Sequence, residues 1–197
     1  LWDLLLKTAG LIGAGIAFAM GVWQYAKAQS WKRAEWIAEE VRSFEQDPLV
    51  RSALKMIDWC ERDVLLFTDG SGEKGQLERV TDAIVANALQ HHSHRPAGFS
   101  NVEAAIRDAF DRLLDGLERF ESFRSAGLVS AEDLKPYIAY WLHHIRSAKP
   151  EDTEATRLVQ LRSYIDEYGF HGVQELFCCY QTQELLPQGT TDWARHP

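Results

Sequence analysis

Three histidines, His91, His92 and His94, stand within four residues, and imidazole is the commonest protein ligand for transition metals. Adjacent ligands on one loop fix no coordination geometry. Neither H-E-x-x-H nor C-x-x-C accompanies them, so a solvated loop is expected and no metal site is assigned. His143 and His144 are consecutive on a helical stretch and cannot both face one ligand; one belongs at the surface and the other partly packed. Cys178 and Cys179 lie in the apolar run LFCCY, where free cysteine behaves as a small core hydrophobe. The segment GSGEKG lacks the four-residue gap and the Gly-Lys-Ser/Thr of a phosphate loop. Residues 69–80 make no calcium loop, because Lys74 and Val80 occupy its sixth and twelfth positions. No Arg is followed by His at the spacing used by helical nucleases of the HEPN type; Arg162 and His171 are nine apart. No catalytic residue and no cofactor is therefore assigned, and the protein is expected not to be an enzyme.

The elements that would position any such residues follow from composition and periodicity. The chain has 197 residues with 46% hydrophobic and 25% charged side chains, enough for one domain with an appendage. Its net charge of −8 runs against a nucleic-acid binder held by phosphate contacts. Three cysteines do not make a disulfide framework.

Residues 4–25 carry one charge, Lys7, and roughly 33 Å of helix would cross a hydrocarbon core of about 30 Å. A transmembrane helix over 1–27 is the expectation. Lys7, Trp23, Tyr25, Lys27, Lys32 and Arg33 would anchor it at the two interfaces. The excess of Lys and Arg after the span places the N-terminus outside and the following domain in the cytoplasm of a bacterial inner membrane. Ala9, Gly13, Ala17 and Gly21 form a small-residue column that lets helices approach closely, which implies a homo-oligomer in contact with membrane lipid. The chain opens on Leu1 rather than Met, so residues before it are expected.

Beyond the span the expected fold class is all-α: a cytosolic helical domain over 28–186, opening on a long helix at 28–46, with one short β-hairpin and a tail at 187–197. Trp31, Ala34, Ile37, Ala38, Val41 and Phe44 give that first helix an apolar stripe. Asp47 and Pro48 read as cap and first turn of a second helix. Residues 64–67 and QLERV would pair as the hairpin, and Thr81 or Asp82 would cap the helix after it. Ser100 with Glu103 is a capping box, opening a helix whose core face carries Ile106, Phe110, Leu113, Leu114, Leu117 and Phe120. On its polar face Arg107 with Asp111, Asp108 with Arg112, and Asp115 with Arg119 are spaced for ion pairs. Gly127 would end it. Pro136 belongs to the first turn of a helix over 137–147, and two more helices follow at 153–168 and 171–184, separated by Gly169.

The stretches WKRAEWIAEE, DPLVRSALKMIDW and AIRDAFDRLLDGLERFESFRSAGLVSAEDLKPYIAYWL resemble an uncharacterised bacterial family of small proteins with one N-terminal membrane helix. In architecture alone the chain is similar to small membrane accessory proteins of CRISPR and other phage-defence systems, some of which assemble into membrane-perturbing oligomers. That resemblance implies a non-enzymatic, homo-oligomeric membrane effector or accessory protein. The alternative is an anchor that recruits a cytosolic protein partner through its helical domain, with no direct nucleic-acid binding.

Overall fold

The computed structural model describes residues 2–68, 75–149, 151 and 156–180; side chains at 3–12, 68, 75 and 76 lie outside that description. Among the described residues the chain is mostly helical. The helices are α1 (Trp2–Gln46), α2 (Pro48–Asp58), α3 (Asp82–Ala88), α4 (Asn101–Ser125), α5 (Ala131–Ser147), α6 (Thr156–Tyr168) and α7 (His171–Cys179). Strands β1 (Glu61–Thr68) and β2 (Gly75–Thr81) form one antiparallel hairpin. Two compact units are present, Leu1–Ser43 and Phe44–Pro197.

The first unit corrects the membrane assignment. No helix among the described residues is long and apolar enough to cross a membrane, which overturns the single-pass span and the inner-membrane placement. Six of residues 13–25 of α1 are Gly or Ala, which add little hydrophobicity. Lys7 and Ala9, expected as an anchor and a packing residue, have side chains outside the described set. Gly13, Ala17, Gly21, Trp23, Tyr25, Lys27, Lys32 and Arg33 are all exposed on α1. The apolar stripe is buried at Ile37 and Val41 and exposed at Trp31 and Ala34.

The second unit is built around α4. Its apolar face, from Ile106 to Phe120, is buried as its 3.6-residue period requires, and α2, α3 and α7 pack on it. Phe44 closes this core edge-to-face on Phe120, with ring centroids 5.2 Å apart. A Cβ at Gly116 would lie 2.1 Å from the Phe44 ring, so only glycine leaves that ring its seat. The hairpin lays Val64, Leu66 and Val80 against the same core, with an irregularity of register between Leu65 and Phe67. Buried Ser52 donates to the Leu65 carbonyl at 2.7 Å, tying α2 to β1. α6 packs on α3 and α5, and α7 on α4, α5 and α6.

Local sequence chemistry sets most helix ends. Ser100 and Glu103 satisfy each other's backbone amides at the start of α4, and Thr81 accepts from the Ile84 amide to cap α3. Gly127 and Gly169 take φ near +70° after α4 and α6, where a side chain would be strained. One boundary differs from expectation. Ser130 and Asp133 form a second capping box, so α5 starts at Ala131 and Pro136 sits inside it. The box nucleates the helix upstream of the proline, and burial of Leu134, Ile138, Leu142 and Ile145 offsets the missing amide bond.

The polar face of α4 also departs from local pairing. Arg112 donates to Asp47 at 2.7 Å across to α2, rather than to Asp108. Asp47 accepts the Leu49 and Val50 amides with its other oxygen. Burial pushes the Asp47 carboxyl up, but the Arg112 bond and the two amides outweigh it and hold it below 3.8.

Arg157, 4% exposed, donates to the Met56 and Ile57 carbonyls and to Asp82, joining α6 to the end of α2 and the start of α3. Replacing Arg157 with Met leaves two carbonyls and a carboxylate without their donor, and should cost about 3 kcal/mol in urea unfolding. Asp47→Ala should cost about 1 kcal/mol at pH 7 through the lost cap. Because the folded Asp47 carboxyl titrates below its ordinary 3.8, that contribution is present above 3.8 and vanishes as pH falls through the lowered value. Urea midpoints of the two proteins should therefore converge in acid.

Candidate functional site

The histidine loop is the densest cluster of chemically capable side chains, and its geometry comes from three helices. Gly169 ends α6 so that Tyr168, its last residue, meets the loop after α3. The Tyr168 hydroxyl accepts from Arg107 Nη2 at 2.8 Å and from the His92 amide at 3.3 Å. His92 Nδ1 lies within hydrogen-bond distance of the same oxygen, at 3.1 Å. The His91 ring lies against both neighbours, tilted by 42° to His92 and 43° to Tyr168, with ring centroids 4.0 and 5.3 Å away.

Arg107 is the centre of this arrangement. Its Nη1 donates to the Ala88 and Gln90 carbonyls at 2.9 and 3.0 Å, satisfying acceptors at the end of α3. Its guanidinium carbon sits 4.4 Å from the Phe99 ring centroid, 4.9 Å from Tyr164 and 5.2 Å from Tyr168. Arg95 covers the Phe99 ring as well and donates to Glu103 at 2.7 Å. The Ser100 amide, with Arg95 assisting, holds the Glu103 carboxyl below its ordinary range. The capping box of α4 thereby also anchors the histidine loop.

Beneath the cluster Tyr164 donates to Asp111. Burial raises the Asp111 carboxyl, against the opposing pull of Tyr164 and Arg107. Burial and the Asp111 bond push the Tyr164 phenol far upward, so it serves as a fixed donor. The expected Arg107 to Asp111 surface pair is thus replaced: Arg107 spends its hydrogen bonds on α3 and α6, and Asp111 takes a tyrosine proton. No local signal announces this, since Arg107 and Tyr168 are 61 residues apart.

The arrangement braces the loop against α4 and α6. The Tyr168 hydroxyl and both terminal nitrogens of Arg107 are committed to holding the loop. Among the described residues no group of three His, Cys, Asp or Glu is placed to hold a metal ion. Residues 70–74 of GSGEKG lie outside the described residues, and Gly75 opens β2. The cysteines correct their assignment: Cys178 is exposed and Cys179 half-buried at the end of α7, because Val173 and Leu176 take its buried face. His143 is exposed and His144 half-buried, its ring stacked parallel to Tyr140 at 6.0 Å.

Two further surfaces stand out. On the helical domain Trp59 is 55% exposed with Arg62 over its ring, and Tyr140 is 53% exposed and donates to Asp58 at 3.0 Å. An open groove of about 410 Å³ runs between α2, β1 and α4, lined by Leu49, Leu66, Phe67, Ala104 and Ala105, with Asn101 and Asp108 also in its wall. On α1, Ile16, Phe18, Met20, Val22, Trp23, Tyr25 and Trp31 are each more than half exposed. Compared with family models, curated proteins and solved structures, the chain matches none.

Tyr168→Phe removes the acceptor of Arg107 and of the His92 amide. It should cost about 1 to 2 kcal/mol and speed amide hydrogen exchange across residues 88–95, while leaving exchange in α5 unchanged.

Proposed function

We propose that this chain is a non-enzymatic adaptor that self-associates through α1 and presents its helical domain to a protein partner. The observation that carries this reading is the apolar exposure of α1. Seven large apolar side chains between Ile16 and Trp31 are more than half exposed, and no formal charge falls among residues 13–26. A helix apolar on all sides is stable where other surfaces cover it. Covering by further copies of α1 needs no second gene product, and Gly13, Ala17 and Gly21 let such helices approach closely; nothing within 4 Å would meet a Cβ at Gly13 or Gly21.

The recruiting surface is the aromatic patch of the helical domain. Trp, Tyr and Arg dominate the energetics of protein interfaces, and Trp59, Arg62 and Tyr140 are exposed with their orientations fixed by a cation–π contact and a hydrogen bond. The histidine brace supports this reading by committing the chain's most reactive-looking cluster to structure.

Sedimentation equilibrium of the full chain, compared with a chain starting at Gln29, tests the proposal. The full chain should run as a discrete oligomer and the shortened one as a monomer. Equal masses for the two would overturn assembly through α1.

A further inference from the structure

Asp108 and Arg112 on α4 are spaced for an i, i+4 ion pair, but the fold draws the arginine elsewhere. Arg112 Nε donates to Asp47 at 2.7 Å, and Asp108, exposed, is left with no hydrogen bond or ion pair among the described residues. That carboxylate stands in the wall of the open groove of about 410 Å³ between α2, β1 and α4. Asn101, Ala104, Ala105 and Asp108 share one face of α4 at i, i+3, i+4 and i+7, roughly 10 Å along the helix axis. Two alanines between two polar residues make this face a trough, and Leu49, Leu66 and Phe67 line its other side.

We infer that the groove seats a short apolar segment of a partner protein that carries one arginine or lysine, the cation meeting Asp108. Charge fixes the sign of the occupant. Among the described residues of the lining, Asp108 is the one that ionises. Arg112, one turn on, shares its charge with Asp47. At the opposite end the positive N-terminus of α4 is answered by Glu103, whose carboxylate accepts the Ser100 amide and pairs with Arg95. The apolar lining between suits the methylene stem of a long basic side chain, which lies on such a surface while its head stays in water. Openness fixes the kind of occupant. A free amine bound here would keep much of its surface in water, whereas a polypeptide crossing the groove covers it with its own flanking residues. Three extended residues span about 10 Å, the length of the trough. The groove begins at Leu49, in the first turn of α2, while Trp59 caps the far end of that helix. This contact is therefore separate from the aromatic patch, and it does not depend on assembly through α1.

Isothermal titration calorimetry of the full chain at low salt, with acetyl-Leu-Arg-Leu-amide as the probe, tests the inference. The arginine peptide should bind saturably, and its isostere with citrulline in place of arginine about fivefold more weakly. Asp108→Asn should abolish that difference, binding both peptides alike, and Ala104→Trp, which fills the trough, should abolish binding of both. Both positions are exposed, so circular dichroism should show unchanged helix in each variant. Equal binding of the two peptides by the wild-type chain, or a preference for acetyl-Leu-Glu-Leu-amide, overturns the cation. Absence of saturable binding, or arginine-peptide binding that survives Ala104→Trp, overturns the groove. Acetyl-arginine-amide binding as tightly as the tripeptide overturns the protein segment in favour of a free basic ligand. Each of these outcomes leaves self-association through α1 standing.

Discussion

The buried guanidinium of Arg157 is the interaction on which the helical domain depends. It is 4% exposed and reaches two segments: the last carbonyls of α2 and, through Asp82, the junction of β2 with α3. A cation taken out of water carries a desolvation cost of several kcal/mol, which is met only when every donor has an acceptor. Here two carbonyls at a helix C-terminus, where the helix dipole is negative, supply part of the compensation and one carboxylate the rest. The consequence is geometric. α2, the hairpin and α3 cannot move independently of α6, so the face of α4 they cover is fixed.

Arg107 repeats the same physics at the other end of α3. Its fork satisfies the Ala88 and Gln90 carbonyls and the Tyr168 hydroxyl, and the rings of Phe99, Tyr164 and Tyr168 surround it. Between them the two arginines hold both ends of a seven-residue helix that is too short to be stable alone. Glu118 plays the matching role for α7. Phe170 offers that helix no side-chain cap, and the Glu118 carboxylate accepts the Val173 amide at 2.9 Å from the neighbouring α4. Gly172 is needed there, because a Cβ would lie 2.6 Å from a Glu118 oxygen. Short helices in this fold are completed by charged side chains from long ones.

This division shows how the chain separates rigidity from exposure. Among the described residues the helical domain commits His91, His92, Arg107, Arg157 and most of the carboxylates on α4 to internal contacts. Among its described residues the large apolar side chains that are more than half exposed are Trp59, Leu77, Leu128 and Tyr140. α1 has the reverse character: from Gly13 to Trp36 every described residue is exposed. A surface of that kind is informative because monomeric proteins seldom carry it uncovered.

Helix existence and type were legible wherever periodicity and caps agree locally, as at Asp47 with Pro48, Ser100 with Glu103, and Gly127. The hairpin, too, was announced by its β-prone runs. Reading α1 as a membrane span failed because its large apolar residues alternate with Gly and Ala and give way to Gln24, Lys27, Gln29 and Lys32 before they make a span. Reading α5 from Pro136 onward failed because the capping box at Ser130 and Asp133 outcompeted the proline as a start signal. By itself the sequence determined the helical pattern, the caps and the faces turned inward, since these depend on neighbours within about four residues. Only the tertiary structure decided that Arg107, Arg112, Glu118 and Arg157 leave their own helices for partners 55 to 101 residues away. A charged side chain takes whichever partner leaves it least desolvated and best hydrogen-bonded, and that choice exists only once the helices have packed.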